Sequence, residues 1–156
     1  DTNGVIIGKH VGAQFYTIGQ RHGLNLNEKN KALGVRGEVV TEAHYVVEKD
    51  IISNTIVVAL SMNHEALYES KIFINELNFF DEELKVKDEF RAFARVRYRA
   101  PLAEVLIKRL KDRYQVIFVT PQRFVASGQS LVFYSYKKNK LKNFNAREIL
   151  GGGIIV

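Results

Sequence analysis

The chain has 156 residues, of which 46% are hydrophobic and 26% charged, a composition typical of a globular protein with one domain or two small ones. It contains no Cys, which excludes disulfide bonds, thiolate metal ligands and a cysteine nucleophile within these residues. No apolar segment approaches the roughly 20 residues of a membrane-spanning helix, and the first residues lack the layout of a signal peptide, so we expect a cytoplasmic protein without a membrane partner.

The formal net charge of +6 is distributed unevenly along the chain. Residues 1–70 contain six Lys and Arg against eight Asp and Glu, whereas residues 71–156 contain seventeen against nine. A basic half joined to a slightly acidic half predicts an anionic partner for the basic half, and nucleic acid is the most common partner of this kind.

Short β-rich runs bounded by Gly, Asn and Asp recur along the chain, and helical periodicity is hard to find, which predicts an all-β protein. In the first half, the pattern predicts strands at residues 4–7, 13–16, 34–40, 43–49 and 55–60. The charge balance changes within residues 61–70, where one helical turn is expected. We therefore divide the chain into a small β-rich domain, residues 1–65, and a second domain, residues 66–156.

The second half predicts six strands, at residues 71–79, 90–98, 102–110, 114–119, 130–136 and 149–156. Six strands without a strong helix are enough to close a small barrel, which removes the exposed edges of an open sheet. The last strand contains three consecutive glycines at 151–153, where a bulge or the close approach of another backbone is expected. The acidic segment "DEEL", residues 81–84, is interpreted as a solvated turn.

The segment "EFRAFARVRYRAP", residues 89–101, carries the most informative pattern in the chain. Interpreted as a strand, it has a small apolar face and a second face that carries Arg91, Phe93, Arg95, Arg97 and Arg99. Like charges about 6.6 Å apart along a strand bring no structural benefit, whereas arginine binds phosphate bidentately and stacks on bases. The face therefore predicts contact with RNA or DNA. The alternative is a set of ion pairs with carboxylates on neighbouring strands, such as those of Glu82, Glu83 and Glu104.

The remaining features point to binding rather than catalysis. The tract "KKNKLKN", residues 137–143, is either a solvated hairpin loop or a flexible loop that contacts phosphate. The four histidines lack the spacing of metal ligands, so no metal and no cofactor are expected within these residues. No nucleophile is marked by its local sequence, and we expect no catalytic residue here.

Three parts of the sequence, taken together, resemble one family. They are "GKHVGAQFYTIGQRHGL" (8–24), "ARVRYRAP" (94–101) with "SGQSLVFY" (127–134), and "LGGGII" (150–155). In this order they resemble the C-terminal portion of the tRNA-specific 2-thiouridylases, the MnmA/TrmU family. The resemblance covers essentially the whole chain, and it implies a central β-rich domain followed by a barrel similar to the second domain of translational elongation factors.

The resemblance also implies an activity for the parent protein. The family uses ATP with Mg to activate the wobble uridine of tRNA and replaces its 2-oxygen with sulfur carried on a cysteine persulfide. Its ATP site and its two reactive cysteines precede the region matched here, and this chain begins with Asp rather than Met, so we expect a piece of a longer protein that is inactive alone. The implied partners are tRNA, the N-terminal catalytic domain of the same chain and a sulfur-carrier protein.

Carried over residue by residue, the tRNA contacts of the family fall on Arg97, Tyr98 and Gln129, with Arg95 and Arg99 beside them. Strand alternation places Arg97 and Tyr98 on opposite faces, so we expect the strand to end or bulge near Arg97, or Tyr98 to bind through its hydroxyl or backbone.

Two further expectations accompany this assignment. In the first domain, Gln20 and Arg21 of "GQRHGL" are candidates for contact with tRNA or with the catalytic domain. Ser127 stands where the family tends to have Pro, which would loosen the turn that presents Gln129. A second hypothesis is that these domains are a protein-interaction platform, which docks a sulfur donor or the catalytic domain without RNA contact and pairs its arginines internally.

Overall fold

A computed structural model describes residues 1–26, 31–33, 39–41, 43–138 and 147–156. The chain divides into two compact units, residues 1–68 and 69–156. Strands make up most of the second unit and are the main regular structure of the first. Among the described residues, no helix combines the length and the apolar character needed to cross a membrane.

The first unit contains three two-stranded antiparallel sheets within the described residues. They pair β1 (Gly8–Lys9) with β2 (Asn25–Leu26), β3 (Lys31–Leu33) with β4 (Val39–Thr41), and β5 (His44–Asp50) with β6 (Thr55–Leu60). Its small core consists of Ile7, Tyr16, Val46 and Val58. Of the predicted strand at 34–40, residues 34–38 lie outside the described residues, and residues 39 and 40 belong to β4.

Two strands predicted in the first unit are wrong. Residues 4–7 follow a turn, in which the Asp1 carboxylate accepts a hydrogen bond from the amide of Val5 and Gly4 has φ +79°. Residues Ala13–Phe15 form a short 3-10 helix, which the amide of Tyr16 continues by donating to the carbonyl of Ala13. Local hydrogen bonds thus occupy the amides of Val5, Phe15 and Tyr16, and the amide of Ala13 donates to Oδ1 of Asn54, so these amides are not available to a strand partner.

The second unit is a closed antiparallel barrel of six strands, as predicted. In chain order the strands are β7 (Tyr68–Phe79), β8 (Glu89–Arg95), β9 (Ala103–Arg109), β10 (Tyr114–Arg123), β11 (Ser130–Lys138) and β12 (Arg147–Ile155). Around the barrel the order is β10, β7, β12, β11, β8, β9, and β9 closes onto β10. The start of β11 therefore lies beside the end of β8, where Val132 pairs with Arg95.

Alternating side chains of the barrel strands fill its interior. In β9, Ala103, Val105 and Ile107 are buried while the residues between them are not, and β11 contributes Leu131 and Phe133. Burying a side chain of this size contributes about 1.5–3 kcal/mol for each large residue. The outer faces of the same strands carry the polar and aromatic residues that form the candidate site.

A short helix, α1 (Glu82–Val86), connects β7 to β8. The Asp81 side chain caps it by accepting a hydrogen bond from the amide of Glu83 at 2.9 Å, and acidic residues in the first turn favour the helix dipole. The interpretation of residues 81–84 as a turn is therefore wrong, because their carboxylates begin a helix. The helical turn expected within residues 61–70 is present as a 3-10 helix, Glu65–Leu67.

Candidate nucleic-acid interface

The strand that carries the arginines ends earlier than predicted. Strand β8 stops at Arg95, and residues 96–100 form a turn in which the amide of Ala100 donates to the carbonyl of Arg97 at 3.0 Å. The predicted common face is therefore wrong beyond Arg95. The next three side chains extend from a turn, where strand alternation does not apply; they are those of Arg97, Tyr98 and Arg99. The expected placement of Arg97 and Tyr98 on opposite faces of a strand therefore does not arise.

Arg91 has a compensating charge across the sheet. Its Nη1 lies 3.2 Å from Oε1 of Glu104 in the neighbouring strand β9. Burial and a hydrogen bond to the same carboxylate raise the pKa of Tyr136. Arg91 therefore fits the ion-pair alternative. Its charge is less available to a ligand than the charge of an unpaired arginine.

Arg95 lies against the ring of Tyr134 on the outer face of the barrel. Its Cζ is 5.4 Å from the ring centroid of Tyr134, and its Nε is buried without a hydrogen-bond partner among the described residues. On the same face the Cζ of Arg147 lies 4.0 Å from the ring centroid of Phe93. Arg95 therefore keeps both its charge and a donor that the described part of the protein does not use.

Arg97 is held in place by Phe124, which lies in the segment after β10. Its Nη2 donates a hydrogen bond to the carbonyl oxygen of Phe124, and its Cζ is 5.5 Å from the centroid of that ring. Burial lowers the pKa of Arg97, but a guanidinium stays charged at neutral pH even so. The contact fixes a charged group at the end of the barrel with little freedom left to lose on binding.

The turn places two more polar groups beside Arg97. Tyr98 is 88% exposed, and Arg99 is also exposed. In the described ranges no carboxylate lies within ion-pair distance of Arg95, Arg97 or Arg99. This part of the barrel therefore presents three uncompensated guanidinium groups next to an exposed aromatic ring.

Gln129 directly precedes β11, at the same end of the barrel. Its backbone carbonyl accepts a hydrogen bond from the amide of Ile155 at 2.9 Å, and its side-chain Oε1 is buried without a partner among the described residues. Gly128, with φ +83°, makes the preceding turn, and Ser127 is exposed. The structure thus brings Gln129 to the end of the barrel at which β8 gives way to the arginine turn.

Gln20 and Arg21 lie in the other unit and differ from each other. The Gln20 amide supports its own turn, because Oε1 accepts from the amide of Thr17 at 3.0 Å and Nε2 donates to the carbonyl of His22 at 2.9 Å. Arg21 is exposed. A contact with tRNA or a catalytic domain stays a prediction for both residues.

Two residues beside Arg97 were not predicted from the arginine pattern of residues 89–101. Arg123 and Phe124 precede "VASGQ", and the Cζ of Arg123 lies 5.6 Å from the ring centroid of Phe124. The signal available in the sequence was an arginine beside an aromatic residue just before the segment of Gln129. It is weak by itself, because the contact with Arg97 spans 27 positions of the chain.

Comparison with known proteins agrees with this architecture. Residues 1–60 match a family model described as a tRNA methyl transferase PRC-barrel domain. Residues 69–155, more than half of the chain, match one described as an aminomethyltransferase beta-barrel domain. Proteins similar over nearly the whole chain are called tRNA-specific 2-thiouridylase MnmA. The chain belongs to the tRNA-specific 2-thiouridylase family.

Three relatives show the extent of the similarity. The protein of Flavobacterium johnsoniae is 31% identical over 97% of this chain and 34% of its own length. That of Geobacillus thermodenitrificans is 34% identical over 98% of the chain and 36% of its length, and that of Acetivibrio thermocellus 36% identical over 99% and 36%. This 2-thiouridylase family member therefore spans about a third of the length of the curated relatives it matches.

Proposed function

We propose that this chain is the tRNA-binding and scaffolding part of an enzyme that thiolates the wobble uridine of tRNA. Membership of the 2-thiouridylase family and the names of the relatives support tRNA as the substrate. The basic charge of residues 71–156 supports the barrel as the part that contacts it.

The observation that carries the proposal is the difference between the arginines of one segment. Arg91 is paired with Glu104, whereas Arg95, Arg97 and Arg99 have no carboxylate within ion-pair distance among the described residues. A protein-interaction platform with internally satisfied arginines would need the opposite arrangement. Uncompensated guanidinium groups at one end of a barrel favour a polyanionic ligand.

Each side chain of the site has a distinct task in this proposal. The guanidinium groups of Arg95, Arg97 and Arg99 neutralise backbone phosphates, which positions the tRNA without reading its sequence. The exposed ring of Tyr98 stacks on an unpaired base, and Gln129 supplies an amide that hydrogen-bonds to base or sugar. Together they hold the tRNA while a catalytic domain works on a base taken out of the stack.

The chemistry itself belongs outside these residues. Sulfur transfer through a persulfide requires Cys, which this chain lacks, so we assign no catalytic residue and expect the chain to be inactive alone. ATP with Mg would be bound by the catalytic domain of the longer protein. In this proposal the chain also docks the catalytic domain and a sulfur-carrier protein.

The direct test is the affinity of the chain for unmodified tRNA across a series of salt concentrations. We expect binding to weaken with salt, and the slope of log affinity against log salt to become shallower by about one to two units in the double variant Arg95→Ala, Arg97→Ala. The control is Arg91→Ala, which removes one charge from strand β8, whereas the double variant removes one charge from β8 and one from the turn that follows it. Because Arg91 forms an ion pair with Glu104, we expect its loss to change the slope by less than one unit.

Two results would contradict the proposal. One is the absence of tRNA binding at low salt by a chain whose unfolding transition shows that it is folded. The other is a slope that the double variant and Arg91→Ala change equally. Either result would favour the interaction platform, with the arginines serving protein contacts and tRNA capture left to the catalytic domain.

A further inference from the structure

The outer face of β8 and β11 carries three aromatic side chains, Phe93, Tyr134 and Tyr136, which we call the aromatic strip. Phe93 pairs with Tyr134 across the two strands, and the ring centroids of Phe93 and Tyr136 are 4.6 Å apart. None of the three belongs to the buried core of the barrel, and Tyr136 is 41% exposed. Filling the barrel interior therefore does not explain why three rings lie together here.

The ring of Tyr136 is held from several sides. Phe93 packs against it, and the Cζ of Arg147 lies 4.0 Å from the ring centroid of Phe93. Nη1 of Arg147 also donates hydrogen bonds to the carbonyl oxygens of Ser135 and Tyr136. The Tyr136 hydroxyl hydrogen-bonds to the carboxylate of Glu104. A partly exposed ring that is held in this way loses little conformational freedom when a planar ligand stacks on it.

Two guanidinium groups flank the aromatic strip. The Cζ of Arg95 lies 5.4 Å from the ring centroid of Tyr134, and Arg147 lies against Phe93. Within the described ranges neither arginine has a carboxylate at ion-pair distance, and Nε of Arg95 is buried without a hydrogen-bond partner. Aromatic rings between uncompensated positive charges are complementary to a single strand of nucleic acid, because its bases stack on the rings and its phosphates bind the guanidinium groups.

We propose that the aromatic strip is a stacking platform for an unpaired nucleotide of tRNA, with the base on the ring of Tyr136 and the adjoining phosphates bound by Arg95 and Arg147. The platform rests on the proposed function and extends it from the turn after β8 to the outer face of β8 and β11. Phe93 and Glu104 are positioning residues, because they hold the ring of Tyr136 in place. Bases inside a duplex are already stacked on each other, so the platform selects single-stranded RNA.

The test compares three RNA probes on the whole chain: unmodified tRNA, single-stranded oligouridylate, and an RNA duplex of the same length as the oligouridylate. Tyr136→Leu keeps an apolar side chain against Phe93 but removes the ring. We expect this variant to bind tRNA and oligouridylate at least about fivefold more weakly, and the duplex less than about twofold more weakly. The salt slope should stay within about half a unit of the original, since no charge is lost.

Two control variants accompany Tyr136→Leu, and the unfolding temperature of each variant shows that it is folded. Tyr136→Phe keeps the ring and should bind all three probes within about twofold of the original chain. Val119 is 63% exposed on β10, which lies on the opposite side of the barrel from β11. Val119→Ala removes an exposed apolar side chain away from the platform and should leave all three affinities unchanged.

Arg147 has its own readout. Arg147→Ala should make the salt slope for oligouridylate shallower by about one unit, because one phosphate contact is lost. Arg147→Lys keeps the charge and should leave that slope unchanged. Equal slopes for Arg147→Ala and the original chain would contradict a phosphate contact of this residue.

The remaining outcomes also overturn the proposal. Equal losses for single-stranded and duplex RNA would mean that Tyr136 does not stack on a free base. Equal losses in Tyr136→Leu and Tyr136→Phe would assign the effect to the hydroxyl rather than to the ring. Unchanged affinity in Tyr136→Leu would mean that Phe93 and Tyr136 only stabilise the sheet as a cross-strand pair.

Failure of the platform is distinguishable from failure of the proposed function. If Tyr136→Leu binds tRNA like the original while the double variant Arg95→Ala, Arg97→Ala still flattens the salt slope, only the platform fails. If the original chain does not bind tRNA at low salt, the proposed function fails and the platform fails with it.

Discussion

At Gly151 the neighbouring strand leaves no room for a side chain. A Cβ at this position would lie 2.2 Å from the backbone carbonyl oxygen of Asn78 in β7, and φ is +152°. We expect Gly151→Ala to lower the free energy of unfolding by at least about 3 kcal/mol, because backbone atoms of a closed barrel cannot move aside. Denaturant unfolding followed by circular dichroism measures the change.

Gly128→Ala is the matched control for Gly151→Ala. Gly128 also has a positive φ, +83°, but a Cβ there meets no atom within 4 Å. Alanine at this position meets no atom and only disfavours the positive φ, so we expect Gly128→Ala to lower the free energy of unfolding by about 1–2 kcal/mol. Equal costs for the two variants would contradict the close approach between β12 and β7.

At the scale of single elements, the hairpin of β5 and β6 depends on Asp50 in its turn. One carboxylate oxygen accepts from the hydroxyl of Ser53 at 2.6 Å and the other from the amide of Ile52 at 2.8 Å. These bonds favour the ionised form and hold the pKa of Asp50 below its usual range. Since the folded pKa is lowered, the contribution to stability is present above the ordinary pKa of Asp and is lost as pH falls through the folded value.

An NMR titration of the Asp50 carboxyl carbon tests this hairpin. We expect a midpoint below the usual value near 3.9 for Asp, and a higher midpoint in Ser53→Ala, because the hydroxyl is the largest cause of the shift. A midpoint that Ser53→Ala leaves unchanged would mean that the hydroxyl does not bind the carboxylate in solution.

At the scale of the whole molecule, each unit has its own core. The buried cluster of the barrel lies within residues 72–155, and that of the first unit within residues 7–58. We therefore expect residues 69–156, produced alone, to unfold in one cooperative transition. Because the excess positive charge is confined to this part, its salt slope for tRNA should lie within about half a unit of that of the whole chain.

A shallower slope for the isolated barrel would assign phosphate contacts to the first unit. Arg21, which is exposed, would then be the residue to change next. Loss of cooperative unfolding in the isolated barrel would instead mean that the barrel needs the first unit for its stability.

Several elements were predictable because their patterns are local. Strand β6 occupies residues 55–60 as predicted, since an unbroken β-branched run bounded by turn residues has one favourable local conformation. Residues 4–7 are similar in character but follow the turn made by Asp1 and Gly4. Apolar residues alone therefore do not make a strand where a turn already bonds the amides of Gly4 and Val5 locally.

The sequence by itself determined the all-β class, the six barrel strands and the concentration of positive charge in the second half. These properties depend on period-two alternation and on composition, which are local or additive along the chain. The segment of Arg95 to Arg99 could also be recognised as special, because clustered arginines on a protein surface need an anionic ligand or an internal ion-pair partner.

Only the tertiary structure decided which arginines remain uncompensated. The register of β8 with β9 brings Glu104 to Arg91, and closure of the barrel brings Phe124 to Arg97 from 27 residues away. Such contacts depend on how distant strands pair, and a shift of one residue would reverse which side chains share a face. The local pattern does not contain that information, because the free energy that sets the register comes from packing the whole barrel.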